Sequence, residues 1–133
     1  MEIIHGIIVL YKQVGEKVVL VGILTDDSRY IKGYIQLFAN EMSASVGQQV
    51  IAHMQTAGST KFIIDSAENY MPALFWQDHS KLTKLMRVLN CVTRLPENVA
   101  FDGLYDKFLN VIAKMVVEEA VLDEWESYVH GLV

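Results

Sequence analysis

The sequence predicts an α+β domain: a five-stranded, mainly antiparallel sheet with helices on both faces, in the order β-β-α-β-β-β-α-α. Three observations carry this. Ile3–Lys12 and Lys17–Thr25 are two runs rich in Ile, Val and Leu around a short turn. Three short extended segments follow in the middle of the chain, and apolar residues recur at spacings of three and four elsewhere.

In the opening hairpin, Val14, Gly15 and Glu16 make the turn, and Gly15 tolerates the backbone angles a tight turn needs. Ile7-Ile8-Val9-Leu10 and Val18-Val19-Leu20-Val21 are apolar at consecutive positions, where a half-exposed strand would alternate with polar residues. Both faces of the hairpin are therefore expected to be covered, with Ile8, Leu10, Val19 and Val21 buried on one of them. Asp26 or Asp27 then opens a helix from about Ser28 to Ser45, with Ile31, Tyr34, Ile35, Phe38 and Met42 as its apolar stripe. Its polar face carries Arg29, Lys32, Gln36, Asn40 and Glu41, and Gly47 terminates it. Gly33 is the oddity inside it, because glycine costs about 1 kcal/mol against alanine in an exposed helix interior. Close approach of the helix to the sheet would offset that cost.

Gln49–Gln55, Thr60–Ile64 and Tyr70–Gln77 read as three strands of a meander, split by Ala57-Gly58-Ser59 and by Asp65-Ser66-Ala67-Glu68-Asn69. Pro72 lies near a strand start, an edge or a bulge, since it cannot donate a ladder hydrogen bond. Ser80 caps a second helix with the stripe Leu82, Leu85, Met86, Leu89 and Val92, ending before Pro96. A third begins with Leu104, Phe108, Ile112 and Met115 and continues through Leu122, Trp125 and Val129. Its run without Gly or Pro is long enough for a break near Glu118 and Glu119.

The 133 residues suit a single domain, 1–133, and a 52% hydrophobic share with 20% charged residues suits a folded core. The longest apolar stretch, Ile3–Leu24, is broken by Lys12, Gly15, Glu16 and Lys17, so no transmembrane segment is expected. No basic leader precedes it, and Cys91 is the only cysteine, so a reducing, cytoplasmic setting is expected. No nucleic-acid partner is expected, because the net charge of −5 argues against one, with a local basic stripe as the observation that could contradict it.

No catalytic, cofactor or metal site is expected. His5, His53, His79 and His130 lie on different elements without a local ligand pair. Cys91 sits mid-helix, away from the helix start that favours a thiolate. Neither a nucleophile elbow nor a phosphate-binding glycine loop is present. Glu118, Glu119, Asp123, Glu124 and Glu126 read as a solvated acidic face, and Lys81, Lys84 and Arg87 as a short basic stripe. Tyr70, Phe75, Trp76 and Trp125 are read as core rings rather than as a ligand pocket.

Ile3-Ile4-His5-Gly6-Ile7-Ile8-Val9, Asp26-Asp27-Ser28-Arg29-Tyr30-Ile31-Lys32-Gly33-Tyr34-Ile35, and Tyr70–Asp78 leading into Leu82-Thr83-Lys84-Leu85-Met86 resemble longin domains in residue character. The order of elements overlaps the roadblock domains too. That resemblance implies a non-enzymatic adaptor that forms a homodimer, pairs with a related domain, or binds a small GTPase in a regulatory or trafficking complex. The alternatives are an acidic inhibitor or immunity protein for a basic partner, and a ligand sensor or enzyme with a dispersed site.

Overall fold

The computed structural model describes residues 2–36, 46–56, 58–70, 78–115, 118 and 120–132. The opening hairpin forms where the consecutive apolar runs place it, as β1 (Glu2–Gln13) and β2 (Val18–Thr25). Its strands serve two cores at once. Ile4, Ile8, Val19, Val21 and Ile23 enter one cluster, whereas Ile7, Val9 and Leu24 enter another. A bulge between Ile8 and Leu10 shifts the register, and Leu10 is half-buried where the continuous apolar run predicted burial.

The predicted first helix is corrected over its first half. Tyr30–Gln36 is a strand, β3, antiparallel to β2 from Leu24↔Tyr30 to Val18↔Gln36. Ile31, Gly33 and Ile35 share its inner side, and Tyr30, Lys32, Tyr34 and Gln36 its outer side, so the true period is two. Gly33 answers to this strand: a Cβ there would lie 2.7 Å from the Phe62 ring. The second half of that helix, from Phe38 onward, lies outside the described residues.

Two further strands are β4 (Gln48–Gln55) and β5 (Lys61–Asn69). The segment Asp65–Asn69, read as a linker, continues β5, paired through Ser66↔Ile51 to Asn69↔Gln48. A strand over Tyr70–Gln77, with Pro72, falls almost entirely outside the described residues. Gly47, read as a helix terminator, has φ 88° and donates its amide to Ile8 O at 2.8 Å, leading the chain into β4.

The five strands close into a barrel in the order β1-β2-β3-β5-β4. β1, β2 and β3 form a meander, and β4 returns to lie antiparallel beside β1, which is a Greek key. β5 then turns back along β4 and meets β3 in parallel at Tyr34↔Lys61. The α+β class and the five-stranded, mainly antiparallel sheet stand, but the order among the described residues is five strands followed by three helices. Closure between β3 and β5 rests on the single pair Tyr34↔Lys61, whereas β1, β2 and β4 are paired along several residues on each side.

The helices are α1 (His79–Val92), α2 (Leu104–Lys114) and α3 (Ala120–His130). Asp78, not Ser80, caps α1, accepting from the amides of Ser80 at 2.9 Å and Lys81 at 3.4 Å. The long C-terminal run is divided between α2 and α3 on either side of Glu118. Trp125, Phe108, Leu85, Leu89 and Leu104 pack with Ile7, Val9, Leu24 and Tyr30 on the outside of the barrel. The hairpin is thus covered by helices on one face and by the opposite barrel wall on the other, rather than by helices on both. Among the described residues no helix is long and apolar enough to cross a membrane.

Candidate functional site

Among the described residues the four histidines and Cys91 do not gather into one site. His5, His79 and His130 are exposed on β1, α1 and α3. His53 lies on β4, with its Nε2 2.5 Å from Asp65 Oδ2. Among the described residues no group of three or more His, Cys, Asp or Glu side chains is placed to hold a metal ion. Cys91 is buried in α1, and burial, followed by the nearby Glu126 charge, pushes its thiol up from the ordinary value. Trp125 is buried and donates Nε1–H to Val88 O at 3.0 Å, while Tyr70 is exposed and Phe75 and Trp76 fall outside the described residues.

The acidic and basic runs meet each other. Arg87 on α1 donates to Asp123 at 3.4 Å and to Glu126, both on α3. Glu118 and Glu124 are exposed and Glu119 is outside the described residues.

A second polar centre joins three segments. Arg29 donates from Nε to Asp27 Oδ2 at 2.8 Å, from Nη1 to Asn98 Oδ1 at 2.8 Å, and from Nη2 to Glu2 Oε1 at 2.6 Å. Burial pushes the Asp27 carboxyl up, but hydrogen bonds from Arg29 and Thr25 outweigh it and hold the group below its ordinary value. Beside this clasp lies an open cavity of about 370 Å³, lined by Asp26, Asp27, Asp102 and Asp106 and by Ser28, whose Oγ accepts from Tyr105 N at 2.9 Å. Asp106 stands in the first turn of α2, where a carboxylate complements the helix dipole. Among the described residues the charged groups lining this cavity are all carboxylates.

The register builds a different surface. Lys12 pairs with Leu20, Leu20 with Tyr34, and Tyr34 with Lys61, so four strands contribute one transverse row. Alternation points the row outward: Lys12 and Lys61 are exposed, and Tyr34 is 40% exposed although it is a large ring. The next row toward the helices is Leu10, Gly22 and Lys32. Neither row contains an acidic residue. The β1–β2 turn, with Lys17, follows Lys12 and Gln13, and the β4–β5 turn, with Gly58 at φ 81°, leads into Lys61, so a turn adjoins each lysine at the two ends of the row.

Sequence reading missed these residues. Tyr34 stood in a helix stripe and Lys32 on the opposite helix face, and only a period of two puts them on one surface. No protein-family model matches the chain, and no characterised protein matches it in sequence.

Proposed function

We propose that this barrel binds single-stranded nucleic acid across the outer face of β2 and β3. The observation that carries the reading is the row Lys12–Leu20–Tyr34–Lys61, with Lys32 beside it. Single-strand binders combine cations that track the backbone with exposed rings on which bases stack, and stacking asks for no particular base. Five-stranded Greek-key barrels of the oligonucleotide- and oligosaccharide-binding kind use this face, flanked by the β1–β2 and β4–β5 loops. The net charge of −5 opposes the reading globally, and the lysine row supports it locally. Phosphate contacts are local, and exposed charges more than a Debye length away, about 10 Å at 0.1 M salt, are largely screened.

Fluorescence anisotropy with a labelled oligothymidylate of about 16 nucleotides tests it. Tyr34→Ala is expected to weaken binding by about tenfold, the low end of what removing one base stack costs. Lys12→Gln with Lys61→Gln should weaken it and flatten its salt dependence by about 0.7 for each phosphate that is no longer neutralised. Equal affinity in all variants, or equal affinity for duplex, would overturn the reading.

The adaptor reading, with a related domain or a small GTPase as partner, is favoured by a separate observation. Ile3 and Ile63 are 56% and 51% exposed, and they flank His53 in register across β1, β4 and β5. Exposed apolar groups gathered on one face suit a protein interface. Ile3→Asp would abolish such an interface and leave oligothymidylate binding unchanged.

A further inference from the structure

We infer that Glu97 acts as an internal counter-ion that competes with ligand phosphate for Lys32 and so holds down the affinity of the lysine row. This rests on the nucleic-acid reading above. Lys32 differs from its neighbours in one respect: its Nζ lies 3.8 Å from Glu97 Oε2, whereas Lys12 and Lys61 have no ion pair among the described residues. Glu97 is not there by the chance reach of a long side chain. It belongs to the α1–α2 loop, which is laid along β3 like a sixth strand: Asn98 N donates to Tyr30 O at 2.8 Å, and Phe101 N to Ser28 O at 3.1 Å. An isolated bridge joins Arg29 to Ala100. Asn98 takes φ 61°, uncommon for a residue with a side chain, and Arg29 Nη1 holds its Oδ1 at 2.8 Å. The residue next to Glu97 is therefore fixed to the strand that carries Lys32 and Tyr34.

The pair is also weak enough to be displaced. Both side chains reach water, Lys32 at 36% and Glu97 at 52% exposure, and exposed pairs of this kind contribute little. A phosphate arriving at Lys32 must displace the carboxylate or sit beside it, and in both cases it meets a negative charge that the rest of the row lacks. Glu97→Gln removes that charge and keeps the shape and the hydrogen-bonding reach of the side chain.

The test is oligothymidylate affinity of the full chain at about 50 and 200 mM salt. Wild type, Glu97→Gln, Lys32→Gln, the double variant Lys32→Gln with Glu97→Gln, and Glu124→Gln on α3 as a control for net charge are compared. Thermal melts check that each variant is folded. Glu97→Gln is expected to tighten binding about two- to fivefold, the size of effect an exposed ion pair produces, beyond any change in Glu124→Gln. It should also steepen the salt dependence toward one more neutralised phosphate. The gain should vanish in the double variant. If wild type binds and Glu97→Gln matches the Glu124→Gln control, or the gain persists without Lys32, the inference is wrong and the site stands. If neither wild type nor Glu97→Gln binds the oligonucleotide, the site reading falls and the inference with it.

Discussion

The inside of the barrel and the layer beneath the helices are both apolar, yet they are filled by different side chains. The interior is lined by Val19, Val21, Ile23, Ile31, Val50 and Ala52, small or branched residues alternating along each strand, with Phe62 as its ring. The helical layer holds Trp125, Phe108, Tyr30 and a set of leucines. A five-stranded barrel has little internal room, so one large ring needs a gap opposite it, and Gly33 supplies that gap. Between helices and a curved sheet the space is irregular, and large rings fill it: Phe108 and Trp125 lie with centroids 5.9 Å apart at 56°. The same hairpin contributes to both cores, so the two are expected to melt together.

The largest effect should come from the helical side. Trp125→Ala removes a fully buried ring and the donor to Val88 O, and it is expected to cost about 3–5 kcal/mol. Chemical denaturation should still show one transition, shifted to lower denaturant, because Ile7, Val9, Leu24 and Tyr30 tie the helices to the barrel. Two separated transitions would mean that the cores are independent.

The barrel interior should answer to crowding rather than to loss. Gly33→Ala places a Cβ 2.7 Å from the Phe62 ring and is expected to cost about 1–3 kcal/mol. Phe62→Leu in the same chain should recover part of that, which a double-mutant cycle of unfolding free energies would register as coupling. Additive effects would show that the glycine and the ring do not share the space.

That glycine also explains what was legible in the sequence. The hairpin could be read because both of its faces are apolar and its turn is local. β3 could not, for two reasons that act together. Tyr30 is apolar on the outer side because the helices cover it, and the inner position 33 is empty because Phe62 fills it from another strand. With alternation broken on both sides, Ile31, Tyr34 and Ile35 stand at helix-like spacing. β5 was cut short for a related reason: Asp65, Glu68 and Asn69 are exposed, so hydrophobicity ends before the ladder does. The stripes of α1, α2 and α3 were legible because the apolar residues of each recur at three and four within a single helix, although those of α2 and α3 read as one continuous run. The lysine row was not, since Lys12, Tyr34 and Lys61 become neighbours only through register and through the parallel closure of β3 on β5.

The smallest predicted effect has the opposite sign and lies where the two cores meet. Tyr30 is 1% exposed, packs over Gly22 with ring and hydroxyl atoms 2.8 Å from where a Cβ would stand, and its hydroxyl has no hydrogen-bond partner among the described residues. A buried hydroxyl without a partner is costly, so Tyr30→Phe removes no bond and is expected to stabilise the fold by about 1 kcal/mol at neutral pH. Burial, and then the Glu97 charge, pushes the phenol up to about 12 from its ordinary 10.0. The sign of the pH dependence follows: above pH 10 the unfolded chain ionises this phenol while the folded chain keeps it neutral, so the unfolded state gains. Stability due to Tyr30 is complete below pH 10 and is lost as the pH rises toward about 12. Denaturation of wild type and Tyr30→Phe at pH 7 and across that alkaline window should therefore show a gap that widens with pH, with the variant more stable throughout. A variant less stable at pH 7 would mean that the hydroxyl makes a bond after all, to a buried water for instance, and that the boundary between the two cores is wetter than either core.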